Sequence, residues 1–90
     1  MEHEAIVELC NRALEPLRPR LPPSLYQEIH DLINEYGEWG VGMEFLIDGI
    51  GELEIEITAE QLRKIEAAMS AMGWAESDRM VWLRSYCRGR

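Results

Sequence analysis

Residues 38–53 read Glu-Trp-Gly-Val-Gly-Met-Glu-Phe-Leu-Ile-Asp-Gly-Ile-Gly-Glu-Leu. Met43, Leu46, Ile47, Ile50 and Leu53 recur at the three- and four-residue spacing of one helical face, with Trp39 at the start of the run. The segment therefore reads as a helix, although Gly40, Gly42, Gly49 and Gly51 oppose it. Each glycine inside a helix costs about 1 kcal/mol relative to alanine. Keeping four of them in one short helix makes sense if some let a neighbouring helix approach closely. Gly37, Gly40 and Gly42 do not form a phosphate-binding loop, because no strand is predicted before them and no Lys-Ser/Thr follows.

The flanking segments share this period. Upstream, Leu25, Ile29, Leu32, Ile33 and Tyr36 form an apolar stripe that Ser24 and Gln27 open as a capping box. Gly37 stands where a left-handed residue ends that helix. Before it, Ile6, Leu9, Cys10, Ala13, Leu14 and Leu17 mark a first helix. It is expected to stop near Leu17, because Pro19, Pro22 and Pro23 remove donors and restrict the residues that precede them. Arg18 and Arg20 suit the negative end of that helix.

Downstream, Glu52-Leu-Glu-Ile-Glu-Ile-Thr58 alternates like a strand, but a lone strand has no ladder partner, so an extended linker is expected. Thr58 and Gln61 make a second capping box, and Glu60 complements the helix dipole. Leu62, Ile65, Met69 and Met72 then carry a fourth helix that Gly73 ends. Ser77 or Asp78 caps a short last helix bearing Met80, Val81, Leu83 and Cys87, and the tail Arg88-Gly-Arg90 is expected to fray. The chain thus reads as all-α, a compact bundle of four to five short helices in a single domain spanning residues 1–90.

Composition narrows the function. Ninety residues make one domain, and 47% hydrophobic residues suffice for a core and argue against disorder. No apolar run approaches the ~18–20 residues of a membrane helix. The start, MEHEAIVELCNR, lacks the basic and apolar blocks of a secretory signal, so a cytoplasmic location is expected. Cys10 and Cys87 show no zinc-type or CxxC spacing and lie on apolar faces. They read as buried, reduced thiols rather than a disulfide.

The net charge is −8, and its distribution is uneven. Ser24 to Leu62 holds ten acidic residues and no Lys or Arg, so this stretch carries −10 and the rest of the chain +2. Phosphates would be repelled by such a surface, which disfavours nucleic acid, whereas a basic protein partner is favoured.

Catalytic and metal-binding groups are not grouped in the sequence. His3 lies near the N-terminus, and His30 falls one residue off an apolar stripe with no partner suggested. The EF-hand pattern fails at Asp48-Gly-Ile-Gly-Glu52, which lacks alternating oxygen ligands. Asp48 and Glu52 lie one turn apart, but such pairs arise by chance where acids are dense. No serine has a nucleophile-elbow context. The expectation is a protein that is not an enzyme and holds no cofactor or metal. Met69 and Met72 read as core. Trp39, Trp74 and Trp82 sit near helix ends, where tryptophan covers a core or anchors a partner.

The run Glu35-Tyr-Gly-Glu-Trp-Gly-Val-Gly-Met-Glu-Phe-Leu-Ile-Asp48, followed by Glu52–Glu56, Ile57-Thr58 and a helix ending Ala71-Met-Gly73, resembles the MafI-type family of small bacterial immunity proteins to polymorphic toxins. The resemblance spans about Leu21 to Trp74. It implies a helical protein that binds and neutralises a cognate secreted toxin, in many cases a basic nuclease domain; separately, a monomer or weak dimer is expected. Mapped onto this chain, the candidate partner-binding residues are Glu35, Glu38, Trp39, Asp48, Glu52, Glu54 and Glu56. Gly42 departs from the family pattern, where a small alanine is usual, and this difference is expected to matter little for packing. The alternative function is a non-catalytic helical adaptor or regulatory subunit.

Overall fold

The computed structural model describes residues 2–89 and is all-α. Five helices follow in order among these residues: α1 (His3–Leu14), α2 (Pro23–Asn34), α3 (Trp39–Glu52), α4 (Ala59–Ala71) and α5 (Asp78–Arg88). Helix α1 packs chiefly on α4 and α2 chiefly on α3, while α5 packs on both α3 and α4. Leu14, Leu17, Ile29, Ile33, Met43, Leu46, Ile47, Ile50, Ile65, Met69, Met80 and Leu83 are fully buried in one core. No polar or charged residue is buried with them among the described residues.

The glycines of α3 are explained by what rests on them. Gly42 and Gly49 are seven residues apart, two helical turns, and both face α2. A Cβ at Gly42 would come 2.9 Å from Ile33 Cγ1, and one at Gly49 would come 3.0 Å from Leu25 Cδ2. Gly42 thus meets the end of α2 and Gly49 its beginning, so the two helices run antiparallel at close range. The expectation that alanine at position 42 would barely affect packing is overturned. Ile33 is buried and branched at Cβ, so it has little freedom to withdraw.

Gly40 and Gly51 form a second pair. They are eleven residues apart, within about 20° of three full turns, and lie on a different face of the helix. A Cβ at Gly40 would overlap the far edge of the Trp74 ring, and one at Gly51 would come 2.8 Å from the Trp82 ring. Between these two seats Arg79 bridges Glu44 and Asp48. Trp74, Arg79 and Trp82 therefore meet α3 in the order of its own residues, and this segment with α5 runs parallel to it.

The helix ends follow local chemistry, with several corrections. Thr58 and Gln61 form the expected capping box, with Gln61 N–H donating to Thr58 Oγ1 at 3.0 Å and Thr58 N–H to Gln61 Oε1 at 2.8 Å. Ser77 caps α5 by accepting from Met80 N–H at 3.3 Å. Gly37 and Gly73 take left-handed φ values of 65° and 79° after α2 and α4. Ser24 is not a cap: α2 starts at Pro23, whose fixed φ and missing N–H suit the first helical position. Gln27 instead bonds Asp31. Helix α1 gives way after Leu14 rather than at Leu17, and the chain continues as a 3-10 helix over Glu15–Arg20 that accommodates Pro16 and Pro19. Leu17 stays buried within it.

Tyr36 lies beyond the end of α2 and is exposed, not part of its apolar stripe. Val81 also faces solvent, one residue off the face that buries Met80 and Leu83. The linker after α3 forms no strand; it seats Ile55 in the core and Ile57 partly so, while Glu54 and Glu56 point outward. The expected fraying of the tail falls partly on Arg90, which lies outside the described residues.

Candidate functional site

The seven residues expected to contact a partner separate into two groups. Glu35, Glu38 and Trp39 stand at the N-terminal end of α3. Glu35 and Glu38 are exposed, and Trp39 is half-buried with the His3 ring 4.9 Å away, edge to face. Glu52, Glu54 and Glu56 are exposed at the C-terminal end of α3 and in its linker. Fourteen residues of α-helix put about 20 Å between the two ends.

Asp48 belongs to neither group. Arg79 donates to it from Nε at 2.9 Å and Nη2 at 3.1 Å, and from Nη1 to Glu44 at 2.9 Å. Those bonds, with Asp48 foremost, hold the guanidinium proton more tightly than usual. The stretch without Lys or Arg in sequence is therefore not without cations in space: α5 returns one to its middle. Asp48 and Glu44 are committed to holding α5 on α3.

Each end of α3 carries an aromatic surface that charge alone did not reveal. At the N-terminal end Trp74 is 39% exposed over Gly40 and Tyr36 is 70% exposed in the neighbouring turn. Trp74 stands between an apolar hollow of about 440 Å3, shared with Trp39 and Met72, and a more polar one of about 430 Å3 beside Glu44 and Glu76. Two of the three carboxylates beside it already face cations, while Glu38, which lines the apolar hollow, has no ion pair with a described residue. Glu44 holds Arg79, and Glu76 lies 3.5 Å from Arg84, which also bonds Glu66 at 2.8 Å.

At the C-terminal end Trp82 is 42% exposed, rests on Gly51 and stacks on Tyr86 with ring centroids 4.9 Å apart. The Tyr86 hydroxyl donates to the Ile55 carbonyl at 3.0 Å, fixing the pair to the linker. Ile47, Asp48, Gly51, Glu52 and Trp82 line a notch of about 310 Å3 there. The last turn of α3 has no basic residue, so the negative end of its dipole adds to the potential of Glu52, Glu54 and Glu56. These three carboxylates form no ion pair with a described residue.

Trp74, Trp82 and Arg79 were the residues that sequence reasoning missed as neighbours of the acidic stretch. A signal for the tryptophans was present: glycines eleven residues apart mark one bare stripe on α3, and two tryptophans eight residues apart follow downstream. The remaining titratable groups contribute little to either surface. His30 is half-buried against Tyr26, its Nδ1 3.6 Å from Asp31. Burial pushes the Cys10 thiol up to about 11. Among the described residues no three His, Cys, Asp or Glu side chains are grouped to hold a metal, and no helix is long and apolar enough to cross a membrane. No family model, curated protein or solved structure matches the chain.

Proposed function

We propose that this protein is an immunity protein that binds a cognate secreted toxin and blocks its active site, with no chemistry of its own. The observation that carries this reading is the pairing of exposed, rigidly seated tryptophans with carboxylates at the two ends of α3. Tryptophan in such a setting is the residue type that dominates protein interfaces, and the surrounding charge sets which partner is drawn in. A basic toxin domain, such as a nuclease, complements a chain of net charge −8. The resemblance of residues 35–48 and 52–58 to MafI-type proteins supports the same reading. Occlusion requires only a rigid body, and short helices over a fully apolar core supply one.

The test is co-purification and an activity assay with the product of the immediately upstream gene. The chain should bind that protein and abolish its activity at micromolar concentration, more tightly at low salt than at high salt. Absence of both binding and inhibition refutes the reading. A helical adaptor of a stable assembly is the second reading, favoured by the exposed Leu53 and Val81 on a protein of this size. It predicts constitutive co-purification with a non-toxic partner.

A further inference from the structure

We infer that the notch beside Trp82 receives a cationic side chain, an arginine above all, from the basic face of the partner protein, and that this end of α3 is where docking is centred. The inference rests on the function proposed above. The two ends of α3 differ in what their carboxylates already hold. At the Trp74 end, Glu44 is bound by Arg79, Glu76 faces Arg84, and Glu38 stands at the positive N-terminal end of the α3 dipole, which offsets its charge. At the Trp82 end, Arg79 stops at Asp48, and Glu52, one turn further along the same face, has no cation among the described residues. A guanidinium entering the notch meets the Glu52 carboxylate and the indole together, a combination suited to a flat, weakly hydrated cation.

The platform is held in place before any partner arrives. Gly51 lets the ring lie against the helix, Tyr86 stacks behind it, and the Tyr86 hydroxyl ties that stack to Ile55. Little side-chain freedom is then lost on binding. Leu53 and Val81, both exposed, supply apolar surface at the same end of the bundle.

The three tryptophans provide the readout. With the chain 15N-labelled at tryptophan and titrated with the upstream gene product, the indole N–H signal of Trp82 should move most, and those of Trp39 and Trp74 little. Glu52→Gln, which leaves the fold's contacts intact, should weaken binding at least tenfold, as should Trp82→Ala, with Trp82→Phe recovering part of the loss. Glu28→Gln, an exposed carboxylate on α2 outside the candidate surfaces, should bind like the unaltered chain. Binding that shifts Trp74 and leaves Trp82 and the Glu52→Gln affinity unchanged overturns the inference while leaving the immunity reading in place. Movement of the Trp82 signal on concentrating the chain alone also overturns it, since the occupant would then be a second copy. No binding at all removes the immunity reading and this inference with it.

Discussion

Replacing Gly42 by alanine should destabilise the protein, although alanine is the better helix former. Helix propensity alone favours the substitution by about 1 kcal/mol. Against it stands a Cβ placed 2.9 Å from Ile33 Cγ1, 3.4 Å from Leu32 Cβ and 3.5 Å from the Ile29 carbonyl oxygen. Ile33 and Ile29 are both fully buried, so α2 cannot retreat from α3 without lifting two core residues. Overpacking of this kind costs about 1–3 kcal/mol, and rigid neighbours place this site in the upper part of that range. The net loss should be about 1–2 kcal/mol, or about 4–8 °C in melting temperature for each kcal/mol in a domain of this size.

Gly49→Ala is the internal control. Its Cβ meets only a terminal methyl of Leu25 at 3.0 Å, the far end of a flexible, half-buried side chain near the start of α2. There the propensity gain should prevail, for a stabilisation of about 0.5 kcal/mol. Urea denaturation of both variants, followed by far-UV circular dichroism, gives the two signs directly. A Gly42→Ala chain as stable as the original, or equal shifts for both variants, would refute the claim that close helix approach explains these glycines.

Three further outcomes follow from local geometry. Glu54 has φ 52°, with Ile55 N–H reaching back to the Ile50 carbonyl at 3.0 Å, so Glu54→Gly should relieve left-handed strain and stabilise the protein by about 1 kcal/mol, seen as a higher urea midpoint. Thr58→Ala removes one arm of the capping box and should cost about 1 kcal/mol in the same assay, with Thr58→Ser recovering most of it. Desolvation raises the Cys10 thiol from an ordinary 9.0 to about 11, so the unfolded chain ionises first as pH rises. The stability from keeping it neutral is complete below pH 9 and is lost between about 9 and 11. The urea midpoint should fall across that interval, and Cys10→Ala should flatten the fall.

The two tryptophan seats give α3 a double role. One glycine pair brings α2 close enough to complete the core, and the other supports the aromatic rings that face solvent at either end. The same helix therefore sets both the packing and the spacing of the candidate binding surfaces. Arg79 lies at the midpoint of the second stripe and holds the two together.

Much of the fold was legible in the sequence because its signals are local. Apolar spacing marks all five helices, Gly37 and Gly73 end α2 and α4, and the Thr58–Gln61 and Ser77 caps start α4 and α5. Each depends on residues within a turn or two of one another, where backbone geometry leaves few choices. The start of α2 and the 3-10 turn after α1 were misjudged where proline geometry competed with a cap or an apolar period. The acidic stretch was legible as charge, but not as a surface. Only the tertiary structure brought Arg79 onto Asp48 across thirty-one residues, separated the carboxylates to opposite ends of α3, and set Trp74 and Trp82 over glycines far away in the chain. Those pairings depend on how helices cross, and crossing is decided by the fit of whole faces, which no short window of sequence contains.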